Sequence, residues 1–179
     1  MSTAAALLTL QDLLQLPEKE GVRYELIEGE LVEEPLAGYY HEFVKSRFDK
    51  AFVLYLSQNP IGEVFSEMLV AVGPHGGHVP DVAVVFSSRL PSPDSREPFP
   101  GSPDIVVEVV SSETAARLET KIRAYFRGGS KVVLVAYPEE RAIQLYRADG
   151  TGRFLEGDQI LELPDLLPGF QAPVSQFFR

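Results

Sequence analysis

There is no cysteine in this chain. That absence excludes disulfides, thiolate catalysis and zinc sites built on cysteine. Asparagine is nearly absent too, a composition that leans towards thermophilic proteins. No run of apolar residues is long enough to span a bilayer. The apolar stretch Ala4–Leu10 lacks a basic segment before it, and the Asp12-Leu13-Leu14 that follows suits a short helix better than a signal peptide. The expected location is the cytoplasm. Positive charge is also in short supply: the net charge is −10, which argues against a general nucleic-acid binder.

What is present is the composition of an ordinary soluble globular protein, 45% hydrophobic and 23% charged over 179 residues. That length suits one compact domain, 1–179, with a substantial core. The charges are unevenly spread. The first 35 residues carry Glu18, Glu20, Glu25, Glu28, Glu30, Glu33 and Glu34 with few bases. Between Arg117 and Lys131 the bases Arg117, Lys121, Arg123, Arg127 and Lys131 outnumber Glu119. That segment is either a surface for a polyanion or a solvated helix face.

Thr9 followed by Asp12 predicts a short helix ended by Pro17. Arg23–Ile27 and Glu30–Glu34 read as strands joined by the two-residue turn Glu28-Gly29. From Tyr39 to about Ser57 the period is helical, with Val44, Phe48, Ala51, Phe52 and Tyr55 on one face. Strands are expected at Glu63–Val72, Val79–Phe86 and Asp104–Val110, with a Ser/Pro/Gly-rich loop over 87–102. Ser111 or Ser112 caps a helix running to about Arg127, stopped by Gly128-Gly129. Lys131–Tyr137 and Ala142–Arg147 are strands about a Pro138-Glu139-Glu140 turn, and short strand pieces with a proline-interrupted tail follow. The order from Tyr39 is α-β-β-β-α-β, which implies a mixed α/β layer with helices covering a mixed sheet.

Two acids stand out. Glu108 interrupts the apolar run Ile105–Val110, and Asp81 opens the apolar run Val82–Val85. A carboxylate inside such a strand costs several kcal/mol unless it is paired, protonated or bound to metal. Alone, Glu108 could be the partner of one Arg or Lys, and Asp81 could bond local backbone N–H groups. Two acids on neighbouring core strands repel, and that repulsion is relieved when a cation binds between them. Oxygen ligands without cysteine suit Mg²⁺ or Mn²⁺. Asp104 lies four strand residues from Glu108, roughly 13 Å, and reads as a strand-start residue.

Lys121 sits at the edge of the stripe Leu118, Ile122 and Phe126, beside Tyr125. It either snorkels to solvent or leans towards the acids, where a metal and a lysine would serve a phosphodiester reaction. His41 faces the core side of its helix, either as a structural histidine bonded to a backbone carbonyl or near the acids as a phosphate-contacting or ligand-orienting group. His75 and His78 flank Gly76-Gly77 in a turn, and without further ligands they do not read as a metal pair.

Val79-Pro80-Asp81, then Pro103-Asp104-Ile105-Val106-Val107-Glu108-Val109-Val110-Ser111, then Lys121 and Tyr125 before Gly128, resemble the Uma-two endonuclease family of the PD-(D/E)XK restriction-endonuclease-like superfamily. Tyr24–Val32 and His41 are similar to that family's N-terminal segment. The resemblance runs over about 23–147 and implies a core at about 39–137, an N-terminal hairpin at about 23–34 and C-terminal strands over 138–179. It implies that Asp81 and Glu108 bind the metal, helped by the backbone carbonyl of Val109. Val110 stands where the superfamily has the lysine of its E-x-K element, and Lys121 on the following helix occupies the position from which this family supplies it. Val133-Leu134 replace an aromatic pair, and Glu28 replaces an aspartate. The expected activity is Mg²⁺-dependent hydrolysis of phosphodiesters, DNA foremost, by a homodimer with one centre per strand; Asp81, Glu108 and Lys121 are the expected catalytic residues, and Arg117 and Tyr125 are candidate substrate contacts. The competing expectation is a nuclease fold without turnover that binds nucleic acid or protein, which the acidic net charge favours.

Overall fold

The computed structural model describes residues 6–179, so Ala4 and Ala5 of the first apolar stretch lie outside the described residues. The chain opens with α1 (Leu10–Leu14), whose Thr9 cap and Asp12 bond each other's backbone amides in a capping box. Then come β1 (Val22–Ile27) and β2 (Glu30–Pro35). Their turn places Glu28 at φ 50° and Gly29 at φ 83°, two left-handed residues in succession as a tight hairpin needs.

The long helix α2 spans Tyr39–Gln58 and buries Val44, Phe48, Phe52 and Leu56. The stretch Glu63–Val72, expected as one strand, is two. β3 (Gly62–Ser66) ends before Glu67, whose φ of 56° turns the chain, and β4 (Val70–Ala71) joins a different sheet. β5 (Gly77–His78), β6 (Val82–Phe86), β7 (Phe99–Pro100) and β8 (Ile105–Val109) follow. α3 covers Ala115–Arg127, and its cap is Thr114 rather than Ser111 or Ser112. The Val110 amide still bonds the Ala136 carbonyl, so the chain leaves the sheet too late for either serine to start the helix. β9 (Val132–Tyr137) and β10 (Ala142–Arg147) form the expected hairpin.

The main sheet has the order β11-β10-β9-β8-β6-β3, with β11 at Gly152–Glu156. β8 and β9 run parallel through the α3 crossover; the other pairs are antiparallel. The second sheet, β2-β1-β5-β4-β7, carries the N-terminal hairpin. This is the mixed α/β architecture with helices flanking mixed sheets that the pattern implied. One face of the main sheet packs on α3 through Val106, Val133 and Val135 against Leu118, Ile122 and Tyr125. The other packs on α2 and on the tail. The strand pieces expected in that tail are present: β12 (Ile160–Leu163) pairs β13 (Leu167–Pro173), and a 3₁₀ turn over Val174–Phe177 follows. Phe177 stacks on Phe48 with centroids 4.1 Å apart, and Phe170 on Phe52 at 5.3 Å. Among the described residues no helix is long and apolar enough to cross a membrane.

Candidate active site

The pairing of β6 with β8 runs Val82 to Val107, so one further step sets Asp81 opposite Glu108. Residues opposed in this way project to the same face of a sheet. Here it is the face covered by α3. Both acids are buried. Asp81 Oδ2 accepts from the Val109 amide at 2.8 Å and meets His41 Nε2 at 3.3 Å. Its Oδ1 is buried without a hydrogen-bond partner. The Asp81 carboxyl stays below the usual range: burial would raise it, but His41, the Val109 amide and Lys121 outweigh burial.

Glu108 is held from α3. Lys121 Nζ donates to its Oε2 at 3.0 Å, and the Tyr125 hydroxyl donates to its Oε1. Lys121 is 4% exposed, so it does not snorkel to solvent. Burial pushes the Glu108 carboxyl up to about 8, against the pull of Lys121 and with the push of Asp81 and Glu25. Burial alone would depress Lys121, but Glu108 and Glu25 hold it above its ordinary value. At Glu108 burial wins; at Lys121 the surrounding negative charge wins.

The sequence reading missed Glu25, and with it Arg23. Glu25 on β1 is fully buried; its Oε2 lies 3.2 Å from Lys121 Nζ, and its Oε1 accepts from the Val79 amide at 2.7 Å. It thus ties the lysine to the segment that delivers Asp81. Arg23, two residues earlier and on the same face of the strand, places Nη1 3.8 Å from Asp81 Oδ1. A signal existed: Glu25 runs straight into Leu26-Ile27, both buried, and a carboxylate in such a strand calls for the argument applied to Glu108.

His41 comes from the first turn of α2 to the edge of the main sheet. Burial would depress its ring, yet Asp81, Glu42 and the Val109 backbone hold it above its ordinary value. Its Nδ1 has no hydrogen-bond partner. A cleft of about 500 Å³ opens beside it, lined by Tyr40, Val110, Glu113 and Tyr137. The two candidate substrate contacts part company. Tyr125 is fully buried with its hydroxyl on Glu108, so it supports Glu108 and offers a substrate no surface. Arg117 is partly exposed, 3.7 Å from Glu34. The remaining suspects are structural. Asp104 receives the Phe86 amide at 2.9 Å and pairs with Arg89 and Lys131. His75 Nδ1 contacts the Leu8 carbonyl, and His78 lies edge-on to Tyr125, its pKa lowered by burial to about 4.

The donors suit a hard divalent ion. Asp81 offers a buried, unpartnered carboxylate oxygen, and Glu108 lies opposite. Among the described residues no three His, Asp or Glu side chains gather as a metal group. The residues that would hold such an ion are Asp81, through its unpartnered oxygen, and Glu108, whose two oxygens here accept from Lys121 and Tyr125.

Comparison with known proteins gives this geometry a context. A family model named Uma2, described as "Putative restriction endonuclease", matches residues 10–175. The chain belongs to the Uma2 family. A solved structure, that of a "putative nuclease belonging to DUF820" from Anabaena variabilis, superposes with a TM-score of 0.85 at 23% identity, covering 96% of this chain and 97% of that one. At that identity the superposition establishes the fold. No curated protein matches the chain. In this chain Asp81 immediately precedes β6, Glu108 lies on β8 and Lys121 on α3.

Proposed function

We propose that this Uma2 protein is a metal-dependent nuclease that hydrolyses phosphodiester bonds in DNA. The observation that carries the proposal is the buried set Asp81, Glu108 and Lys121, in which one Asp81 oxygen has no hydrogen-bond partner inside the protein. Asp81 and Glu108 would hold Mg²⁺ or Mn²⁺, with the Val109 carbonyl assisting; the ion supplies an activated water and neutralises charge at the phosphate. The protein's own contribution is positional. Glu25 holds Lys121 charged beside Glu108, where the ammonium orients the water and stabilises charge developing on phosphorus oxygens. His41 sits on the exposed side of Asp81, placed to orient that carboxylate or to meet the phosphate. A homodimer would supply one centre for each strand of a duplex; light scattering at micromolar concentration tests it, and a monomer counts against it.

The test is cleavage of supercoiled plasmid with Mg²⁺ or Mn²⁺ beside Glu108→Ala and Asp81→Ala. Loss of cleavage in both variants, each folded, supports the proposal. Cleavage that survives either change removes the site. The second reading, a binding module without turnover, is favoured by Glu108 having both oxygens engaged by Lys121 and Tyr125. It predicts DNA or protein binding with no metal-stimulated cleavage.

A further inference from the structure

We infer that Arg23 contacts the substrate: its guanidinium receives a non-bridging oxygen of the phosphodiester that is cut. This rests on the nuclease reading and adds a residue to it. Arg23 stands on the outer strand pairing of β1, and its side chain remains 29% exposed while Asp81 behind it is 2% exposed. Arg23 is thus the more exposed member of this pair, with its Nη1 beside the buried carboxylate that a phosphate would have to approach. Its donors are unspent. Nη1 is 3.8 Å from both Glu67 Oε1 and Asp81 Oδ1, beyond hydrogen-bond distance, and Nε is buried with no partner. Glu67 is already engaged by Lys45 at 2.8 Å. An arginine has five N–H donors in a planar fork, and leaving them unpaired in a partly buried place is costly.

The other cations around the site are committed. Lys121 is enclosed between Glu25 and Glu108, Lys45 is shared by Glu42 and Glu67, and His41 faces Asp81. Arg23 is the guanidinium beside the acids with its hydrogen-bonding capacity left over. A phosphodiester matches it in charge and in paired-oxygen geometry, which a lysine at the same place would not.

The alternative is that Arg23 is only a counter-ion for Asp81 and Glu67. The experiment measures binding of a short fluorescein-labelled DNA by anisotropy in Ca²⁺ across a salt series, with steady-state cleavage in Mg²⁺, for wild type, Arg23→Ala and Arg23→Lys. Substrate contact predicts that Arg23→Ala weakens binding, lowers the salt slope by about 1 and cuts kcat by about 10²–10³-fold. Arg23→Lys should restore the slope and only part of the rate. An Arg23→Ala protein that melts lower but keeps the wild-type slope and kcat overturns the inference while the nuclease reading stands. A wild type that binds DNA with an Arg23-dependent slope yet never cuts it overturns the nuclease reading and leaves the phosphate contact. A wild type that neither binds nor cuts overturns both.

Discussion

Lys121 Nζ lies 3.2 Å from Glu25 Oε2, so the middle of α3 is joined to the first strand of the chain inside the protein. The same ammonium is 3.0 Å from Glu108. Removing it leaves two buried acids without their cation. Lys121→Ala is therefore expected to cost about 3–5 kcal/mol of stability, by urea unfolding without metal. A cost under about 1 kcal/mol would mean that the ammonium is not the partner that keeps Glu25 and Glu108 buried.

Stability should also fall with alkalinity. The folded Glu108 carboxyl is raised to about 8 from 4.5, so between those values the folded state binds more protons than the unfolded one and stability declines as pH rises. His41, also raised, adds stability that is full below about 6.5 and lost as pH climbs through its folded value. Asp81, depressed, acts at the other end: its contribution is present above about 3.8 and lost in acid. Denaturation of the metal-free protein at pH 5 and pH 8 should differ by on the order of 3 kcal/mol in favour of pH 5. Glu108→Gln should remove most of that difference. A flat profile for the wild type would contradict the burial of Glu108.

His41→Ala tests the contact with Asp81. If the ring serves the site, cleavage or metal affinity drops by about 10–100-fold while the fold persists. If it is only a packing residue, the melting temperature falls and the activity of the folded fraction is unchanged.

Tyr125→Phe separates support from substrate contact. The hydroxyl bonds Glu108 in a fully buried position. Its loss should destabilise by about 1–3 kcal/mol and alter metal affinity. KM for DNA should not move, because no substrate reaches the ring. A rise in KM at constant kcat would restore Tyr125 as a contact.

The sequence exposed those parts of the candidate site whose cost is local. A carboxylate within Ile105–Val110 and another ahead of Val82–Val85 are anomalies visible without a fold, and helical phasing brought Lys121 to the right edge of α3. Glu25 and Arg23 escaped because their importance comes from pairing at a distance. β1 meets β5 only through Leu26 and Gly77, and nothing near Glu25 in the chain announces that the Val79 amide will be its partner. The hairpin therefore read as an extension, whereas it forms a wall of the site. The split of Glu63–Val72 was hidden for a related reason: both halves are strand-like, and only the positive φ of Glu67 divides them between sheets. In the tail the prolines hid the extent of the strands, since Pro168 and Pro173 sit within or at the end of a strand paired on one side by β12.

The stacking of Phe170 and Phe177 on α2 bears on how the protein comes into being at the ribosome. A nascent chain that has emerged as far as Tyr125 already carries Arg23, Glu25, His41, Asp81, Glu108 and Lys121. It lacks the parallel partner strand β9 and the aromatic rings that press α2, and hence His41, against the sheet. The residues of the site are thus made early and brought into register only after β9, Phe170 and Phe177 have emerged, so the site's geometry should appear abruptly rather than grow with chain length.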